Sequence, residues 1–213
     1  AAKNVTRDVS LVFDFIERPY SPVRFKELLV SPNEMKQKFS RLINEEIKNK
    51  QAGKPAYILI KINHITDPVM VKKLYEASSH GVRIDLLVRG NCSLITGVPG
   101  VSDTIRINGI IDRYLEHSRI FIFANGGDEK MFIGSADWMP RNLDNRVEVI
   151  TPVYDSRIKE DLWKVIDFGL RGNCQGSVVD GSGKNCLWTT DTEESFRSQE
   201  ELYKYYKSHI TND

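Results

Sequence analysis

Residues 57–89 read YILIKINHITDPVMVKKLYEASSHGVRIDLLVR. Tyr57-Ile-Leu-Ile-Lys61 is a short apolar run of the kind that forms a buried strand. Asp67-Pro68 opens a helix carried on Val71, Leu74 and Tyr75, with proline in the turn where its missing N–H costs least, and Gly81 closes it. Arg83-Ile-Asp-Leu-Leu-Val-Arg89 is the next strand. Strand, helix and strand make a β-α-β unit, which predicts an α/β sheet with parallel neighbours.

Outward from this unit the pattern extends both ways. Upstream, Val5, Val9, Val12, Phe13 and Ile16 recur at helical spacing until Pro19. Phe25 to Val30 reads as a strand, and Ser31-Pro32 as the capped start of a helix with Met35, Phe39, Leu42, Ile43 and Ile47 as its buried stripe, ended by Gly53. Downstream, a Gly/Pro-rich loop runs from Gly90 to Ser102, where α/β folds place ligands. Apolar segments follow at 105–111, 119–123 and 131–133, the last two joined by the turn Asn125-Gly-Gly-Asp128. Arg146 to Thr151 alternates as a strand, and Pro152 to Gly169 is expected to be helical. Residues 171–187, rich in Gly, Ser, Asn and Lys, read as a linker or mobile loop, and 192–209 as a terminal helix. The expected organisation is an N-terminal helix over 1–20 ending a preceding linker region, a domain over 21–171, and a loop with a C-terminal helix over 172–213.

Composition bounds the function. The 213 residues are 40% hydrophobic and 28% charged, enough for one core without staples. Lys and Arg number 30 against 29 acidic residues, so there is no global basic field for nucleic acid, and an anion site has to be local. Three cysteines with no Cys-x-x-Cys pair point to reduced thiols and a cytoplasmic protein, with a peripheral contact at the inner membrane left open. The chain does not begin with Met, which fits a piece of a longer protein.

Of four histidines, His80 precedes a helix-ending glycine and His209 lies in the tail, both suited to structural or surface roles. His64 follows a strand end and is harder to set aside. His117 has Glu116 before it and Arg119 two residues on, with Gly134-Ser135-Ala-Asp-Trp138 in the next strand's exit offering amides and a hydroxyl to an anion. Met139-Pro-Arg-Asn142 and Asn145-Arg146 add cations and amides. Phosphoryl transfer needs such a mixture, because its catalysis is positioning and charge neutralisation. Arg89, ending a buried strand and opening the glycine-rich loop, is the best-placed clamp for phosphate oxygens, though a surface arginine paired to a carboxylate has the same pattern.

Phe15-Ile-Glu-Arg-Pro-Tyr20, Leu86-Leu-Val-Arg-Gly90, Gly97-Val-Pro-Gly-Val-Ser102, Tyr114-Leu-Glu-His-Ser-Arg-Ile120, Asn125-Gly-Gly-Asp128 and Ser135-Ala-Asp-Trp-Met-Pro-Arg-Asn142 resemble, in order, the polyphosphate kinase family. The tail resembles it at Arg197-Ser-Gln-Glu-Glu-Leu-Tyr203. The resemblance implies reversible transfer of the terminal phosphate of ATP to inorganic polyphosphate, with magnesium. It also implies a phospholipase D-like mixed sheet flanked by helices, the second of two such domains, with a C-terminal helical tail. His117 corresponds to that domain's essential histidine, Arg89 to an ATP-phosphate ligand, and Arg146 to a less secure third contact. The phosphohistidine and the magnesium ligands belong to regions absent here. The implied partners are ATP or ADP, polyphosphate, the rest of the kinase chain and further copies of it, without nucleic acid.

The departures are informative. A phospholipase D signature has His-x-Lys and then, after four residues, Asp; here Ser118, Arg119 and Ala124 stand in its place. That weighs against a phosphodiesterase or nuclease dimer built on two copies of His117. A non-catalytic phosphate-binding module is the other alternative, and the isolated fragment is expected to be inactive.

Overall fold

The computed structural model describes residues 3–210 apart from Ser21, Asn185 and Glu193. Helix α1 (Lys3–Glu17) precedes a short strand β1 (Leu29–Ser31) and helix α2 (Met35–Gln51). The central unit is β2 (Tyr57–Ile62), α3 (Pro68–Ser79), β3 (Arg83–Val88) and β4 (Ile105–Ile110). Then come the hairpin β5 (Ile120–Phe123) and β6 (Lys130–Gly134), β7 (Glu148–Val153), α4 (Ser156–Arg171), β8 (Gly176–Val178) and α5 (Ser198–Ile210).

Eight strands form one sheet in the order β1-β7-β6-β5-β2-β3-β4-β8. β2, β3 and β4 are mutually parallel, as the β-α-β reading requires, while the other pairings are antiparallel. Alternation along β2 explains its unbroken apolar run. Ile58, Ile60 and Ile62 pack with α2 and α3 (Phe39, Ile43, Met70, Leu74), whereas Leu59 turns to the opposite face with Leu162 and Ile166 of α4. The mixed α/β sheet is therefore covered by helices on both faces. Among the described residues no helix is long and apolar enough to cross a membrane.

Five boundaries differ from the sequence expectation. The strand expected over 25–30 is confined to Leu29–Ser31. Ser31 does not cap a helix: its Oγ faces the carbonyls of Asn142 (2.7 Å) and Arg146 (2.8 Å), and α2 starts later, at Met35. Pro152 lies in β7 rather than opening α4. β1 stops pairing at Ile150, so Pro152 has a strand on one side only, and Asp155 caps α4 through the amides of Arg157 and Ile158. The glycine-rich stretch after Arg171 holds a strand, β8, antiparallel to β4. Gly176 is needed there because any Cβ would meet the Asn108 side chain, whose Nδ2 donates to the Gly169 carbonyl at 3.0 Å. Finally, the terminal helix starts at Ser198.

Helix α2 also ties the sheet's far end. Glu46, 1% exposed, accepts from the amides of Tyr57 (3.1 Å) and Asn125 (2.6 Å). Burial outweighs those donors and pushes its carboxyl up to about 7. A raised carboxyl favours folding most below about pH 4.5, its ordinary range, and this advantage disappears as pH rises through 7. The expected loss is on the order of 3 kcal/mol across that window. Urea unfolding at pH 5 and pH 8 checks it. Glu46→Gln should lose less stability than wild type between the two, and equal losses would show that Glu46 does not titrate there.

Candidate active site

Strand register gathers the site. Lys61 near the end of β2 faces Ile120 at the start of β5, and Ile120 faces Ile133 near the end of β6. The carboxyl ends of β2, β3 and β6 and the amino end of β5 therefore share one edge of the sheet. Segments 63–67, 89–93, 117–119 and 135–138, distant in sequence, emerge there. Main-chain bonds zip three of them together: Gly90 N to Asn63 O (2.9 Å), Ile65 N to Asn91 O (2.9 Å), Trp138 N to His64 O (3.1 Å) and Thr66 N to Trp138 O (2.8 Å). Gly90 permits this approach, since a Cβ would come within 2.9 Å of the Asn63 carbonyl and strike the His64 ring.

Asp137 is the hub. Its buried carboxylate accepts from the Asn63 amide (3.0 Å), Asn63 Nδ2 (3.0 Å), the His64 amide (3.4 Å) and Arg119 through Nη2 (3.0 Å) and Nε (3.3 Å). Burial alone raises such a carboxyl, but Arg119 and Asn63 together prevail and hold it below the usual range. Arg119, fixed on Asp137, points Nη1 at His117 Nδ1 (2.7 Å) and at the His117 carbonyl (3.0 Å). A guanidinium can only donate, so in a neutral ring the closer nitrogen, Nδ1, is the acceptor and the proton falls to Nε2, 3.5 Å from Arg119 Nη2. On the other flank, Asn63 Oδ1 accepts from Arg89 Nε at 2.6 Å. Among the described residues neither Nη of Arg89 has a hydrogen-bond partner, which leaves the fork available to an anion.

His117 and Arg89, predicted from sequence, are thus joined through Arg119, Asp137 and Asn63. His117 is exposed and Arg89 half-buried, so both reach solvent from a buried scaffold. His64 contributes backbone, and its Nδ1 accepts from the Asn91 amide (2.9 Å). Arg146 is not brought into this network: its side chain is exposed at the foot of β7 and its carbonyl faces Ser31. Ser135 does not offer its polar groups to an anion as expected, because both its amide and its hydroxyl bond to Val149 of β7. Asn142 is likewise taken, by Glu148 at 2.6 Å.

The residues to which sequence reading gave no role are Asp137, Asn63 and Lys61, while Glu116 was marked only as the neighbour of His117. Lys61 is buried and ion-paired to Glu116. Its signal was a lone lysine inside an apolar strand, which has to find an anion. No group of three or more His, Cys, Asp or Glu side chains able to hold a metal exists among the described residues. Asp137 is occupied by its donors, so its carboxylate is not a free metal ligand here.

Comparison with known proteins identifies the family and the fold. The model of the polyphosphate kinase C-terminal domain 2 matches residues 28–199. Polyphosphate kinase of Escherichia coli (strain K12) is 43% identical over 208 residues, 98% of this chain and 30% of that protein. The solved polyphosphate kinase of Porphyromonas gingivalis superposes with a TM-score of 0.92 at 38% identity, covering 99% of this chain and 32% of that one. Nuc from Salmonella typhimurium, a phospholipase D family member, shares the fold alone: TM-score 0.52, 14% identity, 72% of this chain and 96% of that one. The chain thus spans about a third of the length of the polyphosphate kinases it matches. Over that span it has a phospholipase D-like fold and belongs to the polyphosphate kinase family, in which it corresponds to C-terminal domain 2.

Proposed function

We propose that this chain forms one half-site of an enzyme that reversibly transfers the terminal phosphate of ATP to inorganic polyphosphate. The observation that carries the reading is the continuous network from Arg89 through Asn63, Asp137 and Arg119 to His117. It presents a cationic fork and a protonated imidazole nitrogen from one rigid edge. In this reading Arg89 takes phosphate oxygens on its free Nη pair and neutralises charge on the group in transfer. His117 donates its Nε2 proton to a phosphoryl oxygen, and takes one back in the reverse direction. Arg146, exposed and outside the network, is a third and less secure phosphate contact.

A histidine elsewhere in the longer protein serves as the phosphate acceptor. Magnesium accompanies the nucleotide and is held outside this chain, so no step here runs through it. Residues 1–20 end a preceding linker, 21–171 form the domain and 172–213 its appendage. The assembled protein is a cytoplasmic homo-oligomer that touches the inner membrane at most peripherally.

The test is ATP-dependent polyphosphate synthesis by the full-length protein carrying His117→Ala or Arg89→Ala. Folded variants with wild-type turnover would remove the assignment. The isolated chain should bind polyphosphate without making it, and synthesis by the isolated chain would show that no outside nucleophile is required.

A further inference from the structure

His117 sits in a stretch, Ile111 to Arg119, that has no regular secondary structure. Ile111, Tyr114 and Leu115 are exposed, so the stretch has little core of its own to set its path. Besides Arg119 and Lys61, the groups that hold it come from the other end of the chain. Arg197 forks onto Asp112 through Nε (3.0 Å) and Nη2 (2.6 Å), and holds that carboxyl below its ordinary range. Gln199, 7% exposed, spends its whole side-chain amide on the stretch. Oε1 accepts from the Tyr114 amide (2.8 Å), while Nε2 donates to the Tyr114 carbonyl (2.8 Å) and to Glu116 Oε1 (2.8 Å). The other Glu116 oxygen meets Lys61 of β2. Glu116 is therefore gripped between helix α5 and the sheet, one peptide bond from His117.

The grip is anchored. Phe196 and Tyr205 pack edge-on against Phe168 of α4, with ring centroids 5.3 and 6.0 Å away. Tyr205 donates to Asp161 (3.1 Å), and the Arg171 guanidinium lies 4.1 Å above the Phe196 ring. Helix α4 in turn is buried on the sheet through Ile166. A cavity of about 370 Å³ lies between the stretch and α5, with His117, Tyr114, Tyr203 and Tyr206 among its walls.

We infer that Gln199, with Arg197, is a positioning residue for His117: the start of α5 fixes the stretch that carries the imidazole. This rests on the reading of His117 given above. Arg89 lies just after β3 at the other end of the network, where its side chain bonds Asn63 and neither Gln199 nor Arg197, so the grip of α5 acts on the His117 end. Loss of Gln199 leaves Arg89 in place and misplaces His117.

The experiment uses the full-length enzyme with Gln199→Ala, Arg197→Lys, His117→Ala and the Gln199→Ala/His117→Ala pair. Gln199→Ala should lower kcat by roughly 10–100-fold with KM for ATP unchanged. Arg197→Lys, which keeps the charge and loses the fork, should show a smaller loss of the same kind. The double variant should be no slower than His117→Ala alone, because Gln199 has nothing left to position. Multiplying losses in the double variant, or wild-type kcat in both Gln199→Ala and Arg197→Lys, overturn the inference while His117 stays essential. Wild-type turnover in His117→Ala overturns the site assignment itself, and the positioning role with it. Hydrogen exchange of this chain reports on the grip directly: Gln199→Ala should accelerate exchange across 111–118 only, and an unchanged pattern there refutes it.

Discussion

In the full-length enzyme, His117→Ala is expected to reduce kcat for polyphosphate synthesis by about 10²–10⁴-fold, the usual worth of a positioned general acid–base group. Arg89→Ala should cost on the order of 10²–10³-fold, comparable to removing a preorganised donor from a developing charge. Neither loss should come through unfolding. His117 is exposed, and among the described residues the Arg89 side chain gives the scaffold one hydrogen bond, to Asn63. Arg89→Lys separates charge from geometry: lysine keeps the cation but cannot hold Asn63 and grip two oxygens together, so it should recover only part of the activity. Full recovery would mean that the fork is unimportant. Phosphate release and synthesis, measured beside a circular-dichroism melt of each variant, distinguish these outcomes.

The second large effect falls on stability. Asp137→Ala removes the acceptor for Asn63, the His64 amide and Arg119 at once, and leaves a guanidinium only 11% exposed without its counter-charge. Breaking a buried ion pair in this way costs about 3–5 kcal/mol. Asp137→Asn retains one accepting oxygen and should cost less, about 1–3 kcal/mol. Urea titration of this chain should show the midpoint falling in that order with the slope unchanged. The depressed Asp137 carboxyl also sets a pH signature. Its contribution is fully present above the ordinary carboxylate range and is lost as pH falls through its lowered value. The gap between wild type and Asp137→Asn should therefore narrow on acidification. A loss below about 1 kcal/mol for Asp137→Ala would remove Asp137 from the centre of the network.

How much of this was legible beforehand depended on whether the signal was local. The β2-α3-β3 unit was, because strand, cap, helix and closing glycine lie within 33 consecutive residues whose periodicity changes from unit to unit. Arg89 could be singled out because strand ends in α/β sheets are where ligands sit. Ser31 misled because the capping preference is a local tendency, whereas its hydroxyl is claimed by carbonyls more than 100 residues away. Ser135 misled similarly, since its pairing with Val149 depends on β7. β8 was hidden by composition, a three-residue strand of Gly-Ser-Val that owes its place to Asn108 and not to β propensity. Asp137 was visible as a letter but not as a hub, because its partners come from the loop after β2 and from the residue just before β5.

The grip on the stretch around His117 also sets a schedule for the growing polypeptide. Tyr114 and the Gln199 that holds it are 85 residues apart. A ribosome therefore releases the imidazole, its arginine neighbour and the aspartate beneath them well before the amide that steadies them. Until that later piece emerges and docks on α4, the nascent domain has a sheet and a core but an unfinished catalytic edge. The edge that carries His117 is therefore completed late in synthesis.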